Sequence, residues 1–222
     1  MVDMRDLVAE ALYSLSNSQI EFLQNLPKAE LHAHLNGSIP LSCLQTLARE
    51  STISCEVSSE TVSKGLEVLE RGVELNAIED FFSLFPAIYA LTSTTQTVAT
   101  ITREVLSHFL LPGPGGVPPQ CQYMELRTTP RKTSHMTRKG YLEAVLDELE
   151  KYTPETAALL ISIDRRMSIE DVRECMDLAI SLKHQGRRVV GIDLCGNPLV
   201  NVKNDIKRSG IMLITCNIFL DR

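Results

Sequence analysis

Leu26-Pro27-Lys28-Ala29-Glu30-Leu31-His32-Ala33-His34-Leu35-Asn36-Gly37-Ser38-Ile39 holds two histidines two residues apart. In a β-strand successive side chains alternate faces, so His32 and His34 point the same way. Neutral imidazole is the commonest protein metal ligand, and two on one strand face can share an ion. Asn36 extends that face by one step, and Gly37 tolerates a sharp turn at the strand's end. The segment reads as a strand over Ala29 to Leu35 that stops at a metal site. Paired histidines also occur in chains that bind nothing, so spacing alone leaves both readings open.

Working outward, strand-like runs alternate with helical ones. Pro40 to Glu50 reads as a helix with Ser38 as its cap and Pro40 in the first turn. Ser58 to Glu74 is charged and reads as helix or loop. Ile78 to Thr92 carries an apolar face of Phe81, Phe82, Leu84, Phe85, Ile88 and Leu91, with a bend at Pro86. Thr94 to Leu111 places Val98, Ile101, Val105 and Phe109 on one helical face. A breaker run, Pro112 to Pro119, follows. Then come a strand over Cys121 to Arg127, a helix over Thr137 to Tyr152 and a strand over Ala158 to Arg165. Ser168-Ile169-Glu170-Asp171 resembles a capping box opening a helix that reaches His184. Val189 to Leu194 is a fourth strand, and Ile211 to Ile218 offers a fifth.

That alternation argues for parallel β/α units. In barrels of such units the chemistry sits at the C-terminal ends of the strands. Each strand here ends in polar residues or glycine: His34 and Asn36, Arg127 to Arg131, Asp164 to Arg166, and Asp193 with Gly196 and Asn197.

Composition narrows the function classes. The 222 residues carry a formal charge of −6, which argues against nucleic acid, whose partners need a basic stripe. Cysteines stand at 43, 55, 121, 175, 195 and 216 with no Cys-x-x-Cys pair. That spacing disfavours a zinc ribbon or thioredoxin-like motif, and the thiols read as reduced and intracellular. The first residues carry acids and no apolar core of a signal peptide. The longest apolar stretch, Ile211 to Leu220, is far short of the ~20 residues of a membrane span. The expectation is a cytosolic protein, monomeric, with no membrane partner.

The opening stretch closely resembles the first metal-binding strand of the adenosine deaminase family, within the metal-dependent amidohydrolase barrels. Thr128-Thr129-Pro130-Arg131 resembles the loop of the branch that deaminates N6-methyl-AMP. Ile163-Asp164-Arg165-Arg166 matches that family's strand-end motif, and Gly191-Ile192-Asp193-Leu194-Cys195-Gly196-Asn197-Pro198 resembles its glycine-bearing segment. The resemblance implies an α/β fold of the TIM-type (β/α)8 barrel, here incomplete with about four to five units. It implies one Zn2+ ion, held by His32 and His34, and a small-molecule purine nucleotide as substrate. His34, Asn36, Tyr89, Thr128, Thr129, Pro130, Arg131, Asp164 and Gly196 are the implied substrate contacts.

Each contact has a blander alternative. Hydroxyls plus the Arg131 guanidinium suit a phosphate, yet an exposed turn with a surface arginine has the same sequence. Asp164 suits a ribose hydroxyl or an ion pair with Arg165 or Arg166. Gly196 lets a purine approach the backbone, and Asp193 bonds loop backbone. Tyr89 stands where that branch has a substrate-contacting histidine, and a core tyrosine is the alternative.

The resemblance runs from Leu26 to Pro198, which divides the chain into an N-terminal helical segment (1–25), a partial deaminase barrel (26–200) and a divergent tail (201–222). A full barrel takes about 250 residues. The family's third metal histidine and its catalytic glutamate have no counterpart after His184; aligning the last strand on Gly210 puts Cys216 near the missing histidine. His108, His135 and His184 fall in a helix, a basic loop and a helix end. The expected reaction is N6-methyl-AMP plus water to IMP plus methylamine, with adenosine as the alternative substrate. The chain reads as a truncated product of a deaminase gene with little or no activity alone. The rival reading is a non-catalytic half-barrel that binds nucleotide or a partner.

Overall fold

The computed structural model describes residues 10–11, 13–50, 60–76, 78–196 and 218–219. Helix α1 spans Asn17–Asn25 and opens on a capping box between Ser16 and Gln19. Strand β1 (Ala29–His34) leads through a 3-10 turn at Leu35–Gly37 to α2 (Leu41–Glu50). Helices α3 (Glu60–Arg71), α4 (Ile78–Ser83), α5 (Phe85–Leu91) and α6 (Thr95–Leu110) follow. Then β2 (Tyr123–Thr128), α7 (Arg138–Leu149), β3 (Ala157–Asp164), α8 (Ile169–His184) and β4 (Val189–Cys195) alternate.

The sheet order is β1-β2-β3-β4, and each of these neighbours pairs in parallel. This is the α/β architecture that the alternating pattern predicts, a barrel wall in sequential order. A two-residue strand β5 (Ile218–Phe219) adds antiparallel to β4. The expected fifth strand over 211–218 otherwise lies outside the described residues, as do Cys216 and most of the tail.

The register gives the sheet two chemically distinct faces. Arg127 pairs with His34 and Leu160, and Asp193 pairs with Ser162, so these side chains share one face. Ala33, Leu126, Leu159, Ile161 and Ile163 take the other face and join the core under the helices. Leu106, Tyr141, Leu142, Leu146 and Leu149 from α6 and α7 complete that core, all fully buried. The outer face is thus apolar, while the inner face carries imidazole, guanidinium and carboxylate. A register irregularity between Glu30 and Ala33 falls at Leu31 and His32 in β1.

Sequence expectations hold for most boundaries, with three local differences. Ser38 closes the 3-10 turn rather than capping α2; the carbonyl of Pro40 receives the N–H groups of Cys43 and Leu44 instead. The break in 78–92 falls at Leu84, because Pro86 sits in the first turn of a new helix, where its missing N–H costs nothing. Asn36 stands in the turn rather than one step further along a strand. The expected cap at Ser168 forms, its side chain accepting from Asp171 N, and Thr94 and Thr137 cap α6 and α7 in the same way.

Helices α6 and α7 are tied by Arg103, whose Nε and Nη2 donate to both oxygens of Glu148 at 3.2 and 3.0 Å. Lys151 adds a 2.6 Å contact. These hydrogen bonds hold the Glu148 carboxyl below the usual carboxylate range. A lowered native value contributes stability above the ordinary pKa, and that stability is lost as pH falls through the native one. Arg103→Ala is expected to cost about 1 kcal/mol at neutral pH, a modest figure because Arg103 is half exposed. Urea melts should show wild type and variant converging once Glu148 is protonated.

Candidate metal centre and substrate cleft

The C-terminal ends of β1 to β4 open into one cleft of about 840 Å³. The β1 end supplies His32 and His34, whose ring centres lie 5.2 Å apart. Asp193, from β4, comes to the same point: ligand atoms of His32, His34 and Asp193 all lie within 4.8 Å of one another. His32 is exposed, His34 half-buried and Asp193 buried.

Burial lowers the His34 pKa; Asp193 opposes that shift, and His32 and Arg127 add to it. The imidazole is therefore neutral in the ordinary physiological range, the state a metal requires. Asp193 Oδ2 accepts from Arg127 Nη1 at 2.6 Å. Its Oδ1 is buried with no hydrogen-bond partner among the described residues. A buried carboxylate oxygen left unbonded is costly, and two imidazoles beside it complete a nitrogen and oxygen donor set of the kind zinc takes. The residues present fit a metal ion.

Arg127 braces this centre. Besides Asp193, its Nε and Nη2 donate to the Leu31 carbonyl at 3.2 and 2.8 Å. One side chain on β2 thereby links β1 to β4 across β3. The sequence assigns Arg127 no role beyond a strand-end position, and places Asp193 at the rim with loop-backbone bonding as the alternative. The signal available was a charge of each sign inside two otherwise apolar strands, which asks for a buried partner.

The cleft lining includes His32, His34, Asn36, Tyr89, Thr128, Thr129, Asp164 and Gly196 of the residues singled out in the sequence. Behind them, the buried Tyr141 hydroxyl lies 2.6 Å from Thr128 Oγ1 and accepts from Asn36 Nδ2 at 3.3 Å. Thr129 Oγ1 lies 3.2 Å from Cys195 Sγ. Phe81, Phe82 and Phe85 form an aromatic wall that continues to Tyr89. In the sequence these rings belong to an apolar face of unassigned partner; in the structure they line the cleft. Phe81 Cζ comes within 3.2 Å of where a Cβ on Gly37 would stand, so that glycine makes room for the wall.

Pro130 and Arg131 are placed differently from the expectation. Pro130 is buried and its carbonyl receives Arg138. Arg131 donates to the carbonyls of Tyr89 and Thr92 and to Thr92 Oγ1, and stacks 4.4 Å above the Tyr89 ring. Neither residue lines the cleft. The guanidinium is a strut between the β2–α7 loop and the end of α5. Tyr89 itself lines the cleft rather than the core, and burial pushes its phenol up to about 12, so it stays protonated.

Asp164 is the ion-paired alternative realised. Its Oδ1 accepts from Arg166 N and Nε at 2.8 and 2.9 Å, and its Oδ2 from Arg166 Nη2 at 2.7 Å. Gly196, at φ +102°, lies against this carboxylate; a Cβ there would sit 2.9 Å from Asp164 Oδ1. Gly196→Ala combines a left-handed backbone with that clash and should lower stability by about 1–3 kcal/mol. A chemical-denaturation midpoint equal to wild type would refute the crowding.

Parallel strands whose C-terminal ends gather imidazoles and a buried carboxylate define a candidate metal site on a β/α-barrel wall. The family model described as adenosine deaminase matches residues 27–207, and the chain belongs to that family. It is 36% identical over 208 residues to an N6-mAMP deaminase of Arabidopsis thaliana, covering 82% of this chain and 55% of that protein. A Homo sapiens N6-methyl-AMP deaminase is 31% identical, covering 87% and 54%. A crystal structure of Arabidopsis ADAL complexed with IMP superposes with a TM-score of 0.65 at 37% identity, covering 82% of this chain and 53% of that one. The chain thus spans about half the length of the curated relatives it matches. No helix among the described residues is long and apolar enough to cross a membrane.

Proposed function

We propose that this chain carries the metal-binding and substrate-binding part of a zinc-dependent purine nucleotide deaminase, acting on N6-methyl-AMP and water to give IMP and methylamine. The observation that carries the reading is the convergence of ligand atoms of His32, His34 and Asp193 beside a strand-end cleft, with one Asp193 oxygen lacking a hydrogen-bond partner among the described residues. The relatives from Arabidopsis thaliana and Homo sapiens, both N6-methyl-AMP deaminases, suggest the substrate.

His32, His34 and Asp193 would hold zinc, which supplies activation of water for attack on the ring. In the hydrolysis, the water oxygen bonds to purine C6, the C6–N6 bond breaks, and the water protons leave with methylamine and the ring. The chain's own contribution is to seat the substrate. The Phe81, Phe82 and Phe85 wall excludes water and packs a planar ring. Asn36 and Thr128, fixed from behind by Tyr141, present polar atoms to it. Adenosine is the alternative substrate. Cys43, Cys121, Cys175 and Cys195 are free thiols, which supports a cytosolic setting.

A second reading is favoured by one fact: the metal group among the described residues has two imidazoles, and His108, His135 and His184 stand outside it. This chain by itself would then bind zinc and nucleotide without turnover. The test is zinc content by elemental analysis together with methylamine release from N6-methyl-AMP. Release supports the enzyme. Zinc and nucleotide bound at one to one without release supports the non-catalytic form. A chain that retains neither sinks both.

A further inference from the structure

We propose that Arg166, held by Asp164, is the residue that selects a 5′-phosphate in this cleft. The inference rests on the purine nucleotide reading above and deepens it. Two arginines line the cleft, Arg127 and Arg166. Arg127 is buried and committed to Asp193 and Leu31. Arg131, which donates to Tyr89 and Thr92, and Arg165, whose Nε donates to the Cys195 carbonyl, do not line the cleft. Arg166 differs from all three: its side chain is 60% exposed and its Asp164 partner 14% exposed.

The clasp leaves a defined donor. Asp164 takes Arg166 Nε and Nη2, which fixes the guanidinium plane and leaves Nη1 pointed away from the carboxylate. A planar fork held in this way loses little freedom on meeting an anion. Gly196 keeps the seat of the clasp in place, since any larger residue would press on Asp164. The position also suits the ligand. Arg166 follows β3, and the histidines end β1, so two inter-strand spacings, about 10 Å, separate them. That is the order of the span of a purine nucleoside from its six-position to its 5′ end. A substrate with its C6 at the histidines would bring its phosphate to the β3 end. Inorganic phosphate shares the chemistry and serves as the independent probe.

The experiment is calorimetric titration of the full chain, loaded with zinc, with N6-methyl-AMP, with N6-methyladenosine and with inorganic phosphate. Wild type is expected to prefer nucleotide over nucleoside by about ten- to a hundredfold, the worth of a charge-assisted hydrogen bond. In Arg166→Gln that ratio should collapse toward one, Arg166→Lys should fall between, and inorganic phosphate should cease to compete with N6-methyl-AMP. Arg131→Lys should keep the preference. A full preference in Arg166→Gln overturns the assignment, as does its loss in Arg131→Lys. Equal wild-type affinity for nucleotide and nucleoside overturns the phosphate site but leaves a purine site standing. No wild-type binding of either purine overturns the functional reading and this inference with it.

Discussion

Replacing Arg127 with methionine is expected to lower the unfolding free energy by about 3–5 kcal/mol, the range for removing one partner of a buried ion pair. Both members are nearly inaccessible, at 3% and 7% side-chain exposure. Removal strands the Asp193 carboxylate, whose second oxygen already lacks a hydrogen bond. It also frees the Leu31 carbonyl from two donors and so loosens β1. The companion Arg127→Met/Asp193→Leu removes both charges and should recover much of the loss, because a well-packed apolar pair can replace a buried ion pair at little cost. Urea melts of wild type, the single and the double variant measure the coupling. A double variant as unstable as the sum of two singles would show that the pair does not act as a unit. Zinc offers a second reading: with Arg127 gone, Asp193 is left to the metal, so zinc should stabilise Arg127→Met more than wild type.

The same pair shows where the sequence stops being legible. The histidine spacing is local, and strand periodicity alone puts both rings on one face. The β/α alternation is equally local, and it yields four parallel strands in sequential order. Arg127 and Asp193 are 66 residues apart, and nothing in either neighbourhood names the other. Only the register, Arg127 beside Leu160 and Asp193 beside Ser162, brings them to one face. Arg131 shows the opposite failure. Its tetrapeptide points to phosphate, but the carbonyls that capture it belong to the end of α5, some 40 residues earlier. The Phe81 to Phe85 stripe is ambiguous for a third reason. Helical periodicity defines an apolar face but not what it faces, and here it faces a cleft.

Zinc is expected to raise the melting temperature of the wild-type chain by about 5–10 °C at a free concentration a hundredfold above its dissociation constant. His32→Ala should abolish that rise. His32 is exposed, so its removal should leave the metal-free melt within about 0.5 kcal/mol of wild type, which separates ligation from folding. His34 adds a pH signature. Its native pKa lies below 6.5, chiefly through burial. The folded state then binds fewer protons than the unfolded one, so metal-free stability falls as pH drops below 6.5 and levels off beneath the native value. His34→Gln should flatten that window, read from melts between about pH 7.5 and about pH 5. Zinc shifts the curve in the same direction, because protons and metal compete for one imidazole nitrogen. A zinc-induced rise that survives in both His32→Ala and His34→Gln would place the metal elsewhere and remove the foundation of the proposed deaminase reading. Loss of the rise in both, with metal-free melts intact, would fix the ion at the end of β1. Asp193→Asn would then report whether the carboxylate completes the set: its neutral amide still meets Arg127 poorly but ligates weakly, so zinc affinity should drop while His34 protonation becomes easier to suppress.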